Sequence, residues 1–269
     1  MRRLLNTMYE RTAFVLMISF LGLIGMAWSA VAVVLYPIIP RGFGTRVGQG
    51  ALMACCRIYL ASLRLAGCFE CDLSALDKLR NDGGLVIAPN HPALIDILLI
   101  ASRLPRISCI MKAGLWDNIF LGGGARLAGY IRNDAPVNMV KQAVEEIGRG
   151  SQLLVFPEGT RTVRRPVNPF KGGFALIAKR AAVPVQSVFI ETNSPYLSKG
   201  WPIYRMPKLP LYYRVRLGRR FTVTGDVKAF NRELEAYFAE ELGVRQTSKA
   251  AAPAARRIFG APRDETHAI

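Results

Sequence analysis

The stretch Leu85-Val86-Ile87-Ala88-Pro89-Asn90-His91-Pro92-Ala93-Leu94-Ile95-Asp96 decides how this chain is read. Residues 85–88 are a short, wholly apolar run, the mark of a strand buried in a sheet core. A helix is expected from about residue 93 to 103. His91 falls where the strand opens into that helix, a common place for a site in α/β proteins. On a continuous helix a spacing of five does not align two side chains. With His91 in the loop before the helix, however, Asp96 in the first turns reaches back to the imidazole. The pair is then a base and its orienting carboxylate, the arrangement that activates a hydroxyl. Taken alone, the motif is explained equally well by a structural capping histidine. The second histidine, His267, lies in a polar C-terminal stretch far from any pattern.

The same alternation continues outward. Residues 107–111, 152–156 and 185–190 read as strands, and residues 138–148 and 175–180 as helices. Residues 212–217 and 221–224 read as a hairpin closed near Gly218. A late amphipathic helix is expected over 230–242. This order implies an α/β fold, a mixed β-sheet covered by helices, over a catalytic domain at 81–243. Beyond Gly243 the chain is rich in Ala, Arg, Lys, Ser and Pro, so residues 244–269 are expected to be a disordered basic tail.

Toward the N-terminus, residues 12–39 carry no charged side chain, enough to cross a bilayer. The apolar run continues past the small residues at 27–30, where a signal peptide would be cleaved. Residues 1–40 are therefore expected to be a retained membrane anchor, ended by Pro37 and Pro40. Arg2, Arg3 and Arg11 on one side and Arg41 and Arg46 on the other barely separate the two orientations. Gly22 and Gly25 allow a bend, so a crossing helix and a half-inserted hairpin both stay open. Residues 41–80 read as an amphipathic helical connector, with Arg57 and Arg64 punctuating an apolar run.

The 36 Lys and Arg residues against 19 Asp and Glu give a net charge of +17. That balance points to an anionic partner: phospholipid headgroups, an acidic carrier protein or a phosphorylated substrate. Nucleic acid is set aside, because no binding motif for it is present and a membrane segment is awkward for it. Five cysteines in no framework argue against a disulfide scaffold. Cys68 and Cys71 form a lone C-x-x-C without the second pair a structural zinc needs, so no metal is expected.

A second motif, Phe156-Pro157-Glu158-Gly159-Thr160-Arg161, also follows a strand. Gly159 allows close backbone approach. Thr160 and Arg161 can donate to a phosphate, Arg161 bidentately. Glu158 either orients Arg161 or binds a substrate hydroxyl.

A His-x-x-x-x-Asp block followed about 65 residues later by Phe-Pro-Glu-Gly-Thr-Arg resembles the glycerolipid acyltransferase family, whose best-known members are 1-acylglycerol-3-phosphate acyltransferases. Gly129-Tyr130-Ile131-Arg132 resembles the family block that carries a phosphate-contacting arginine, and Val183-Pro184-Val185 its hydrophobic-proline block. The resemblance spans roughly residues 80–190. It implies His91 as general base toward an acceptor hydroxyl, Asp96 as its orienter, and direct attack on a thioester with neither acyl-enzyme nor cofactor. It also implies Arg132, Glu158, Gly159, Thr160, Arg161 and, with a less defined role, Lys171 as acceptor-binding residues.

The implied donor is acyl-CoA or acyl-carrier protein, with Arg164 and Arg165 as a docking point for the carrier. The implied acceptor is a lysophospholipid, foremost 1-acylglycerol-3-phosphate giving phosphatidic acid. Membrane phospholipids are the expected surroundings, in the inner (cytoplasmic) membrane with the site facing the cytoplasm, where thioester donors are found. A single crossing with that orientation places Arg2 and Arg3 outside, against the charge rule, which favours the half-inserted anchor. The family usually has Ser where this chain has Ala93, and often Phe where it has Tyr130. Position 93 leaves open an acceptor other than a phosphoglycerolipid, such as an aminolipid or a specialised acyl or polyene product.

Overall fold

The computed structural model describes residues 2–164 and 166–250; Arg165, His267 and residues 251–269 of the expected tail lie outside the described residues. Two long helices come first, α1 (Arg2–Leu35) and α2 (Arg41–Leu65). Proline lacks an amide donor and its ring blocks the preceding turn, so Pro37 and Pro40 interrupt the helix and α2 restarts directly after Pro40. Within α1, Thr7–Leu35 is long and apolar enough to cross a membrane.

Then follow β1 (Phe69–Asp72), a 3-10 turn at Ser74–Leu79, β2 (Leu85–Pro89), α3 (Asp96–Ala101), β3 (Ile107–Met111), α4 (Ala113–Trp116) and α5 (Gly122–Leu127). The chain continues through β4 (Ile131–Arg132), α6 (Pro136–Gly148), β5 (Gln152–Leu154), α7 (Gly173–Ala181), β6 (Val185–Thr192), β7 (Leu211–Phe221) and α8 (Val227–Ala250). The strands form one sheet in the order β1-β7-β6-β2-β5-β3-β4, parallel throughout except for the antiparallel pair β6–β7.

Both faces of the sheet are covered. From β2, Leu85 and Ile87 pack with Leu60, Leu63, Leu99 and Ile100 on one side. Val86 and Ala88 pack with Val140, Ala143, Phe174, Ile177 and Phe238 on the other. Successive strand side chains point to opposite faces, so a strand between two helical layers favours apolar residues at every position, which is why residues 85–88 read as one apolar run.

Three sequence expectations need correction. The stretch taken as a helical connector, 41–80, contains β1, which pairs with β7 at the sheet edge; the sheet therefore begins before residue 81. The expected hairpin at Gly218 is one continuous strand, β7. A Cβ at Gly218 would lie 2.5 Å from the Phe189 ring and from Ser187 Oγ, so this glycine permits close packing beside a register shift in β6 rather than a turn. The last helix runs to Ala250, past the boundary expected from apolar spacing.

Helix α1 is docked along its length. Tyr9 Oη donates to the Ala66 carbonyl (2.9 Å), and Phe14 meets Tyr196 edge-on (6.0 Å between centroids). Farther along, Ser29 Oγ donates to the Phe120 carbonyl (2.8 Å). At Gly123 of α5 a Cβ would come within 2.5 Å of the Ser29 carbonyl oxygen; only a glycine lets the two backbones approach so closely.

Candidate active site

The site forms where β2 ends. Asn90 is buried and uses both amide atoms on one residue of β6: Nδ2 donates to the Ile190 carbonyl (3.0 Å) and the Ile190 N–H donates to Oδ1 (2.7 Å). This pins the next residue, His91, at the sheet edge. His91 Nδ1 lies 2.8 Å from Asp96 Oδ2, and the Ala93 N–H donates to the same oxygen (2.8 Å). Residues 92–95 do not continue the helix; they wrap so that the five-residue spacing closes a ring around one carboxylate oxygen. Asp96 opens α3 and is fully buried. Burial pushes its carboxyl above the ordinary carboxylate range, while the hydrogen bond and charge of His91 and the Ala93 N–H pull it back.

The Phe156 ring stacks on the imidazole, 3.8 Å between centroids at 18°. With Nδ1–H committed to Asp96 and one ring face covered, Nε2 is the nitrogen left to accept a proton. The imidazole remains 14% exposed.

Glu158, expected either to orient Arg161 or to bind a substrate hydroxyl, makes its hydrogen bonds to the surrounding loops. It is buried, and its carboxylate accepts three hydrogen bonds: His91 N–H (3.0 Å) and Thr162 Oγ1 (2.7 Å) on Oε1, and Asn168 N–H (2.9 Å) on Oε2. Its negative charge sits where three donors converge, so it clamps the second motif to the His91 loop. The Thr162 N–H adds a bond to the His91 carbonyl (2.7 Å).

Arg161 is likewise turned to structure. Its Nη1 donates to the carbonyls of Leu197 (2.9 Å) and Ser198 (3.0 Å) in the loop between β6 and β7. Leu197 has a left-handed φ of 58°, a conformation that costs an L-residue about 1–2 kcal/mol. Its carbonyl also receives the Leu94 N–H (3.0 Å), so three loops meet at one strained peptide.

Gly159 has a φ of 65°, and a Cβ there would lie 2.8 Å from the Lys171 side chain. Lys171 therefore lies across the exposed Gly159 backbone, with Thr160 beside it and partly open. His91, Asp96, Glu158, Gly159, Arg161 and Lys171 thus share one site. Arg132 does not join them. It ends β4, three strands from β2 and so about 14 Å along the sheet, and is held by Asp117 (3.1 Å) and Asp134.

Sequence reasoning had assigned no role to Asn90, Phe156, Thr162 or Asn168. Asn168 organises the motif loop by accepting the Val163 and Arg164 N–H groups on Oδ1 (3.0 Å each) and donating to the Arg161 carbonyl (3.1 Å). A lone loop Asn carries no periodicity that marks it. Ala93 is a core residue, 1% exposed, so the departure from Ser at that position does not face the acceptor. An apolar cavity of about 90 Å³ lies under α1, walled by Met17 and Leu21 of α1, by Leu94 and Ile95 of the His91–Asp96 connection, and by Leu98 and Ile203.

Residues 71–191, from within β1 to within β6, match the family model "Acyltransferase". A chloroplastic 1-acyl-sn-glycerol-3-phosphate acyltransferase of Brassica napus is 29% identical over 52% of this chain and 42% of its own. A 1-acyl-sn-glycerol-3-phosphate acyltransferase of Helicobacter pylori is 30% identical over 46% of this chain and 55% of its own. One from Pseudomonas aeruginosa is 22% identical over 80% of this chain and 84% of its own. The chain thus spans less than half the length of the Brassica relative.

The fold is shared with a crystal structure from Thermotoga maritima described as the 1-acyl-sn-glycerophosphate (LPA) acyltransferase, PlsC. The TM-score is 0.66 at 19% identity, covering 91% of this chain and 98% of that one. The match to the acyltransferase family model thus runs through the strands that carry both motifs, and the fold of the Thermotoga structure extends over nearly the whole chain.

Proposed function

We propose that this protein transfers a fatty acyl group from acyl-CoA or acyl-carrier protein to the hydroxyl of a lysophospholipid, foremost 1-acylglycerol-3-phosphate, giving phosphatidic acid. The observation that carries the reading is the His91–Asp96 pair, aligned at 2.8 Å on a connection whose Leu94 and Ile95 wall an apolar cavity. Nε2 takes the proton of the acceptor hydroxyl while Asp96 holds Nδ1–H and stabilises the imidazolium. The acceptor oxygen attacks the thioester carbonyl. The tetrahedral intermediate then expels the thiolate, which leaves as a thiol with the proton held on Nε2. The cavity between α1 and α3 suits an acyl chain, and Lys171 and Thr160 offer donors toward a polar headgroup.

Membrane association belongs to the same reading. Thr7–Leu35 spans about 44 Å at 1.5 Å per residue, longer than the roughly 30 Å hydrocarbon core. Its C-terminal half, at Gly25 and Ser29, lies against the α4–α5 segment that carries Asp117, Asn118 and Arg126. An upright α1 would draw those polar groups into the hydrocarbon layer, where a charged residue costs up to about 2.5–3.5 kcal/mol. An α1 lying along one leaflet, with Val15, Leu16, Leu23 and Val34 turned to lipid, avoids this. It also keeps the site on a single side, the cytoplasmic one where the thioester donors are.

The test is acyl transfer by detergent-solubilised protein from labelled acyl-CoA and acyl-carrier protein to lysophosphatidic acid and to phosphate-free acceptors. His91→Ala is assayed alongside. Loss of general-base catalysis predicts a fall of about a hundred- to ten-thousand-fold. Transfer retained in the variant refutes the mechanism, and transfer confined to phosphate-free acceptors moves the acceptor class.

A further inference from the structure

A second cleft, of about 540 Å³, opens at the β4 edge of the sheet between the α1–α2 turn, α5 and α6. That volume is in the range that holds small ligands. Three arginines line it: Arg41, Arg126 and Arg132. Their charges are not equally compensated. Arg132 is held by Asp117 and Asp134. Glu146, the other carboxylate of the wall, is committed to Arg149. Arg126 is half-buried, gives one N–H to the Trp116 carbonyl (3.2 Å) and meets no carboxylate among the described residues. Arg41 has no hydrogen bond or ion pair among the described residues.

Two guanidinium groups without a carboxylate partner among the described residues therefore line one concave space, Arg126 partly buried and Arg41 exposed at its rim. A partly buried charge without a partner is unfavourable, as for Arg126, and the planar fork of donors matches phosphate oxygens two at a time. The lip of the cleft points to the source of that phosphate. Tyr36 lines the mouth, and the same α1–α2 turn region carries the exposed apolar residues Ile38 and Phe43 (70% and 63% exposed). These continue the lipid-facing surface of α1. An aromatic and aliphatic lip above arginines is the composition of a membrane interface.

We infer that this cleft binds the phosphate of a lipid headgroup presented from the bilayer surface, gripped by Arg41 and Arg126. The inference rests on the membrane-association reading above. The phosphate belongs to a bilayer phospholipid and not to the reacting acceptor: the cleft lies three strands, about 14 Å, from β2 and His91, and the acceptor's hydroxyl and phosphate share one glycerol unit.

Flotation of the full chain with phosphatidylcholine vesicles, with and without phosphatidic acid, tests it, using Arg41→Gln/Arg126→Gln and the charge-preserving Arg126→Lys. Losing charge-assisted bonds to phosphate predicts about tenfold or more weaker binding to the phosphatidic-acid vesicles. Binding to plain phosphatidylcholine, carried by α1, stays, and Arg126→Lys retains most of the affinity. Weakened flotation with the KM for lysophosphatidic acid unchanged is the result expected for a bilayer phospholipid; a rise of about tenfold in that KM, with kcat within about twofold, would place the arginines on the acceptor and overturn the assignment. If the double variant matches the wild type in both measurements, the inference is overturned. If the wild type fails to float with any vesicle, the membrane reading falls by itself. Calorimetric binding of a short-chain lysophosphatidate to wild type and double variant then decides the role of the arginines without a bilayer.

Discussion

Glu158→Gln separates a structural clamp from a substrate ligand. Glu158 accepts from His91 N–H, Thr162 Oγ1 and Asn168 N–H at 3.0, 2.7 and 2.9 Å. Glutamine has nearly the same shape but only one acceptor oxygen. With that oxygen kept toward His91 and Thr162, the new NH2 faces the Asn168 N–H, donor against donor. One charge-assisted bond is lost and one buried donor is left unsatisfied, a cost of about 2–3 kcal/mol. For a domain of this size that lowers Tm by roughly 4–12 °C. The His91 loop loosens with its clamp, and a misplacement of about 1 Å can cost a hundredfold in rate; kcat is therefore expected to fall about ten- to a hundredfold, with KM for the acceptor within about threefold. Thermal melts followed by intrinsic fluorescence, together with steady-state kinetics in the same detergent, read both quantities. A variant that melts within about 1 °C of wild type and raises KM alone would refute the clamp and place Glu158 on the acceptor.

Asp96→Asn carries a pH signature. Burial raises the native pKa of Asp96 above its unfolded value, so its contribution to stability is fully present below the ordinary carboxylate range and is lost as pH rises through the native pKa. The variant cannot titrate there, so its Tm relative to wild type should climb from about pH 4 toward neutrality, while transfer stays low at every pH. A constant offset adds to this slope, because the amide NH2 replaces Oδ1, an atom without a partner among the described residues; a difference with no pH-dependent part counts against the assignment. Gly123→Ala should destabilise by about 1–3 kcal/mol through overpacking against Ser29. In contrast Gly50→Ala, a helical site with nothing within 4 Å, should be neutral or stabilising by about 0.5–1 kcal/mol; equal melting shifts in the two would show that α1 and α5 are not closely packed.

Much of this protein was legible from local pattern. Largely apolar runs marked β2, β3 and β6 because a strand between two helical layers favours apolar side chains on both faces, and the 3.6-residue period marked α6. The His91–Asp96 pairing was readable because both residues lie on one short connection. A proline-interrupted, uncharged N-terminal run identified α1 as a membrane candidate, because helix length and hydropathy are properties of the segment itself.

Long-range contacts were not legible in the same way. Glu158 and Arg161 read as substrate ligands because an acid and a base after a strand have the same composition whether they face solvent or another loop. Only the meeting of the residue 91, 158–168 and 197 loops turned them inward. Gly218 read as a turn because a glycine needed for a bend and one needed for close approach are the same letter. The strand β1 went unread, since four residues at a sheet edge gain their order from pairing with β7, 142 positions later in register (Phe69 with Leu211). The hydrophobic period and the strand–loop–helix signature come from each residue's nearest neighbours and can be read along the chain. The direction in which a polar side chain is satisfied depends on donors and acceptors brought from distant segments, and those exist only once the sheet has assembled.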